Sequence, residues 1–162
     1  MVDTHDYSFF GKSTGLILRS RKLNEPFIFL TCVRKKRDGN WEKTSQGEGK
    51  TIRLSLEEMV SIKEVFKKCP SSWKSVHKYK EEMTSIDFDS RENQSLPYLL
   101  KIGTYPKPLT FAQGEIFRML LDHLITEKIE HLNTFIKKPA NTNEIQSAPQ
   151  NNLYIKEETT KT

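Results

Sequence analysis

Apolar and polar positions alternate with a period of two over Thr14 to Lys22. Leu16 and Leu18 point one way, Ile17, Arg19 and Arg21 the other, which predicts a strand ended by Asn24-Glu25-Pro26. Phe27 to Arg34 predicts a second strand, apolar on both faces at its centre. Ile28, Leu30 and Cys32 share one side, while Phe27, Phe29, Thr31 and Val33 share the other. A strand in mid-sheet, with helices behind and a ligand in front, has this pattern. Asp38-Gly39 marks a tight hairpin turn. Beyond it, strands are predicted over Trp41 to Ser45 and Lys50 to Leu54, joined through Gln46-Gly47-Glu48-Gly49.

The period then lengthens to that of a helix. Ser55 and Glu58 have the spacing of a capping box, with Leu54 and Met59 placed for a hydrophobic staple. Leu56, Met59, Val60, Ile62, Val65 and Phe66 supply an apolar stripe, so a helix is predicted from Leu56 to about Lys68, stopping before Pro70. Val76 to Phe88 is strand-like, with a bulge or bend near Glu81-Glu82, and Asp89 to Gln94 is a polar turn. Tyr98 to Gly103 predicts another strand, and Tyr105-Pro106-Lys107-Pro108 a rigid lead-in to a second helix. Thr110 and Gln113 form its capping box, and it runs to about Phe135. Residues 1–13 begin polar and turn aromatic at Tyr7, Phe9 and Phe10, without an assigned element. The fold class expected is α+β: antiparallel sheets backed by two helices, in strands–helix–strands–helix order.

The second helix is apolar over more than one stripe, from Phe117, Leu120, Leu121, Leu124 and Ile125 on to Ile129, Leu132, Phe135 and Ile136. One sheet face cannot cover all of these, so a homo-oligomer formed through this helix is expected. The domain is expected to span residues 1–136. Residues 137–162, rich in Asn, Gln, Thr and Glu, read as a disordered polar tail with a small apolar island at Leu153-Tyr154-Ile155.

Charge adds a mild lean. Among 162 residues, 26 are basic and 21 acidic, a net +5 that favours a polyanionic partner without requiring one. Cys32 and Cys69 show no zinc spacing and read as buried thiols of a reducing compartment. The histidines, His5, His77, His123 and His131, show no metal spacing along the chain, and no catalytic constellation stands out. Gly11-Lys12-Ser13-Thr14 imitates the end of a phosphate-binding loop, but Asp6 stands where the first glycine is needed. No enzyme activity, metal or cofactor is therefore expected. The longest apolar run, Phe27 to Val33, is too short to span a bilayer, and the start of the chain has no apolar signal core. An intracellular, cytoplasmic or nucleoid-associated protein without a membrane role is expected.

Alternation allows Arg19 and Arg21, Phe27 and Phe29, Trp41 and Lys43, and Thr51 and Arg53 to share one outward sheet face. Rings there could stack on bases while the cations track phosphates. The competing reading packs Phe27, Phe29 and Trp41 into the core and leaves the cations as ordinary surface. Lys12, Lys78, Lys80 and Lys101 are further nucleic-acid-binding candidates.

Several short segments resemble the Whirly-type single-stranded nucleic-acid-binding proteins. Tyr7-Ser8-Phe9-Phe10-Gly11-Lys12 leading to Leu16 is similar to the segment ahead of that family's first strand. Gly39-Asn40-Trp41-Glu42-Lys43 and Ile52-Arg53-Leu54-Ser55-Leu56-Glu57-Glu58 look like its Trp-Glu-Lys segment and the start of its first helix. Leu109-Thr110-Phe111-Ala112-Gln113 is similar to its second helix start. The likeness spans roughly residues 7 to 135. It implies binding of single-stranded DNA with little sequence preference, in DNA protection, replication, repair or transcription. Single-stranded RNA binding or annealing is the first alternative, and a protein-interaction scaffold the second.

Overall fold

Ser55 and Glu58 cap a helix as their spacing implies. The Glu58 amide donates to Ser55 Oγ at 3.2 Å and the Ser55 amide donates to Glu58 Oε2 at 3.0 Å. Thr110 and Gln113 repeat the device, with reciprocal amide-to-side-chain bonds of 3.1 and 3.2 Å. The two helices so started, α1 (Leu56–Val65) and α2 (Phe111–Ile136), each follow four strands. The computed structural model of the chain describes residues 4–136; the expected polar tail and its Leu153-Tyr154-Ile155 island lie outside the described residues.

The strands are β1 (His5–Phe10), β2 (Thr14–Ser20), β3 (Phe27–Arg34) and β4 (Lys50–Ser55), then β5 (Ser72–Tyr79), β6 (Glu82–Ser90), β7 (Tyr98–Ile102) and β8 (Tyr105–Leu109). They form two antiparallel four-stranded sheets, each a meander in chain order. The expected α+β class and strands–helix–strands–helix order hold.

Five expectations differ. Trp41 to Ser45 is not a strand. The Asp38-Gly39 turn forms, but only the Lys35–Trp41 bridge follows it, and Thr44–Gln46 is a 3₁₀ turn. The backbone there is claimed by carboxylates, since Glu42 accepts the Arg34 amide at 2.9 Å and Glu48 the Lys43 amide at 2.6 Å. The aromatic lead at His5–Phe10 is a strand, β1. Val76 to Phe88 is no single bent strand but part of the β5–β6 hairpin, which reverses at Lys80 with φ 53°. The lead-in at Tyr105 is strand β8, whose Pro106 and Pro108 are tolerated because β8 pairs on one side only. α1 also ends earlier than expected, at Val65, where Lys68 turns left-handed with φ 60°.

One core joins the sheets and helices. Leu16, Leu18, Ile28, Leu30, Ile52 and Leu54 of the first sheet meet Ile86, Phe88, Leu100 and Ile102 of the second, together with Met59, Ile62, Val65, Phe117, Leu121 and Leu124 of the helices. Strand β8 passes over β2 and β3, and α1 lies against β5, β6 and α2. Phe117 sits at the junction, its ring 5.8 Å from that of Phe9, 6.3 Å from Phe66 and 6.0 Å from Phe88.

Gly114, one turn into α2, lets the helix close on Tyr98, because a Cβ there would overlap the Tyr98 ring. Alanine would gain about 1 kcal/mol of helix propensity. Against this, the ring is held between Phe66 and Phe88, and overpacking costs about 1–3 kcal/mol. Gly114→Ala is therefore expected to lower the thermal midpoint despite its better propensity.

Burial separates the thiols. Cys32 is in the core, where burial pushes its pKa up to about 12, so it is an inert neutral thiol. Cys69, expected to be buried, is exposed because α1 stops short of it.

Candidate nucleic-acid interface

Alternation in β2, β3 and β4 turns one face of the first sheet into the core; the other is accessible around Arg19, Phe29 and Arg53 and closes toward buried Thr31 and Val33. Cross-strand register places Asp6, Arg19, Phe29 and Arg53 in one row across the open face. Ser8, Ile17, Thr31 and Thr51 form the next row, tied by a 2.8 Å hydrogen bond between the Thr31 and Thr51 hydroxyls. Phe27 and Phe29 are half-buried, neither in the core nor free, with their rings edge to face at 5.5 Å. The guanidinium of Arg53 lies 4.9 Å from the Phe27 ring centroid and that of Arg21 lies 5.3 Å from Phe29. Arg19 has a loose contact with Asp6 at 3.9 Å, while Arg21 and Arg53 have no carboxylate partner among the described residues. The face is thus a set of rings with cations already resting on them.

Two concavities open from it. A groove of about 470 Å³ is lined by Arg19, Arg21, Phe29, Thr31, Thr51 and the Thr44-Ser45 loop. A cleft of about 840 Å³ lies between the first sheet and β5–β6, sharing Phe29 and Thr51 with the groove. Phe27 and Arg53 form its near wall, and His77, Lys78 and Tyr79 its far wall. Because two residues are common, the surface is continuous from β2 into the cleft. The two strand spacings from β2 to β4 give about 10 Å before the cleft begins, room for a short run of nucleotides.

Polar contacts set the cleft's width. Lys50 pairs with Glu82 across it. On its floor, Glu58 Oε1 lies 2.7 Å from His77 Nε2 and accepts the Ser75 hydroxyl at 2.9 Å, so the residue that caps α1 also ties β5 to it. Burial would raise the Glu58 carboxyl, but the hydrogen bonds from His77, the Ser55 amide and Ser75 outweigh it and hold the pKa below its ordinary 4.5. A depressed carboxyl stabilises the fold above its unfolded-state pKa, and that stability is lost as pH falls through the folded-state value. Glu58→Gln should therefore flatten the acid side of the stability–pH curve below pH 4.5, read from urea midpoints.

Of the residues expected at the interface, Arg19, Arg21, Phe27, Phe29, Thr51 and Arg53 lie together, and Lys78 faces them across the cleft. Lys80 is in the β5–β6 turn, its Nζ 5.6 Å from the Tyr79 ring centroid at the cleft mouth. Trp41 is half-buried and packs edge to face on Phe10 at 4.8 Å. Phe10 in turn lies over Gly15, where a Cβ would come within 2.7 Å of the ring. Lys43, displaced from the strand expected for it, is exposed in the loop beside the groove, outside its lining. Lys12 sits in the β1–β2 turn and Lys101 on the outward face of the second sheet opposite Asp87; neither lines the groove or the cleft. Tyr79, 73% exposed, and His77 were not among the expected residues. Their place depends on how the two sheets meet, although Tyr79-Lys80 repeats the ring-and-cation pairing of the first sheet.

No helix among the described residues is long and apolar enough to cross a membrane. No family model and no curated protein matches the sequence. Among solved structures, the fold is similar to that of the plant transcriptional regulator PBF-2, with a TM-score of 0.61 and 12% identity over 84% of this chain and 97% of the other.

Proposed function

We propose that this chain binds single-stranded DNA with little sequence preference, through base stacking and phosphate neutralisation and without a catalytic step. The observation that carries this reading is the row Arg19–Phe29–Arg53, flanked by Phe27 and Arg21 and continuous with a cleft between the sheets. Rings stack on any base, and guanidiniums on those rings meet the phosphates, so sequence matters little. Stacking on Phe27 and Phe29 needs unpaired bases, whereas a duplex hides its base faces. The fold likeness to a plant transcriptional regulator supports a role on nucleic acid.

Phe111, Ile116, Met119 and Ile129 leave an exposed apolar face on α2. We assign it to homo-oligomer formation, which would array several binding faces along one strand. Transcription, replication or repair are the settings in which such a protein would cover exposed DNA.

Fluorescence anisotropy with matched oligonucleotides tests the proposal. Single-stranded DNA should bind tightly at low salt and duplex weakly, with log affinity falling linearly as log salt rises. Tighter binding of matched RNA would reassign the site to RNA, through contacts to the 2′-hydroxyl. Absence of binding to any oligonucleotide at low salt would favour the scaffold reading and sink this one.

A further inference from the structure

We propose that His5, His123 and Glu127 form a binding site for one divalent transition-metal ion, zinc in the first instance. His5 stands on β1; His123 and Glu127 are four residues apart on α2, one turn along the same helix face. Nε2 of His5 lies 3.0 Å from Glu127 Oε1, and Nε2 of His123 lies 3.9 Å from the same oxygen. All three donor atoms fall within 4.8 Å of one another. In a tetrahedral zinc site with bonds of about 2.0–2.1 Å, neighbouring donors stand about 3.3 Å apart, a value these separations bracket. Small side-chain rotations would bring the set onto an ion.

A second observation points the same way. Glu127 Oε2 is buried and has no hydrogen-bond partner. An orphaned carboxylate oxygen is costly, and a simple His5–Glu127 ion pair leaves it orphaned. The buried Lys128 amine acts on Glu127 through charge, but its hydrogen bond goes to the Lys22 carbonyl at 3.0 Å and leaves Oε2 unbonded. A bound dication would compensate the whole carboxylate. The His123 side chain is 57% exposed, which gives an ion access and leaves a coordination position for water.

Ligand chemistry selects the metal. Two imidazoles and one carboxylate suit zinc and its neighbours, whereas magnesium and calcium require more oxygen donors. The histidines are 118 positions apart in sequence, so linear spacing could not reveal the set. His5 also projects from the core-facing side of the first sheet, in register with Ser20, away from the Arg19–Phe29–Arg53 row. The site is therefore independent of the nucleic-acid reading. Its structural effect would be to fasten the edge strand β1 to α2.

The test uses the full chain, stripped with a chelator and titrated with zinc by calorimetry and with cobalt(II) by visible absorption. Expected results are one ion per chain, the intense bands of a four-coordinate cobalt site, and a rise in thermal midpoint with zinc. His123→Ala changes an exposed side chain and should fold normally, yet weaken zinc binding at least about tenfold, since even the outer partners of a zinc ligand are worth that much. Glu127→Gln should do the same, with oligonucleotide binding unchanged in both. No zinc heat and no cobalt bands in the wild-type chain would overturn the proposal. So would equal affinity in wild type and His123→Ala, which would place the ion at other groups.

Discussion

Phe29→Ala is expected to weaken binding of a single-stranded thymine oligonucleotide roughly 5- to 150-fold, while leaving the protein folded. The magnitude follows from the loss of one stacking platform, about 1–3 kcal/mol per base. Phe29 is the ring to choose because it belongs to both the groove and the cleft, lies between Arg19 and Arg53 in the cross-strand row, and carries the Arg21 guanidinium. It faces away from the buried core cluster, so its removal opens no central cavity. Arg53→Ala should behave differently. It removes a cation, so affinity falls most at low salt and the salt slope drops by about 0.7 for a single strand. Anisotropy at several salt concentrations separates the two effects. A loss for Phe29→Ala no greater than for a surface lysine such as Lys101→Ala would show that bases do not stack on this face.

Phe117→Ala should have the largest effect on stability, about 3–5 kcal/mol. Its ring touches Phe9 from the first sheet, Phe88 from the second and Phe66 at the end of α1, so the vacated space cannot be closed by moving one element. The same ring fixes how one sheet sits against the other. Urea unfolding should show the lower midpoint. Oligonucleotide affinity, measured where the variant remains folded, should also fall because the cleft walls lose their common reference. A midpoint within about 1 kcal/mol of wild type would mean that the site collapses readily, contrary to a tightly packed junction.

The local rules read from the chain were the dependable ones. Both capping boxes depend on residues three apart, and the alternation in β2, β3 and β4 on residues two apart. Those signals are written in neighbours and survive any tertiary arrangement. The failures came where a longer-range contact outweighed the local pattern. Trp41 to Ser45 alternates like a strand, but the Glu42 and Glu48 carboxylates take the amides a ladder would use. The β5–β6 reversal has no Gly or Asn to announce it, since Lys80 itself adopts the left-handed conformation. β1 was legible in hindsight: His5, Tyr7 and Phe9 alternate with Asp6 and Ser8, and Phe10 masks the pattern by occupying the open face against Trp41.

The candidate site divides along the same line. Arg19, Phe29, Thr51 and Arg53 could be grouped from alternation alone, because three adjacent strands carry them. Of the far wall only Lys78 was expected; His77 and Tyr79 reach the cleft through the packing of one sheet on the other and the bond that Glu58 accepts from His77. Among the described residues, the fully buried Lys107 and Lys128 were likewise invisible. Lys107 lies beneath the Gly11 turn, and Lys128 is held by a backbone carbonyl contributed from over a hundred residues away in sequence.

The prolines of β8 bear on how such molecules behave in a crowd. A protein spread in many copies along a polymer brings its sheet rims close together at high local density, the circumstance in which fibrils seed. Pro106 and Pro108 remove two donors from the β8 rim, one of the two rims of the second sheet, so a neighbouring copy finds no regular ladder to extend there. On the proposed reading, copies crowded along one strand cannot lock together through this β8 rim.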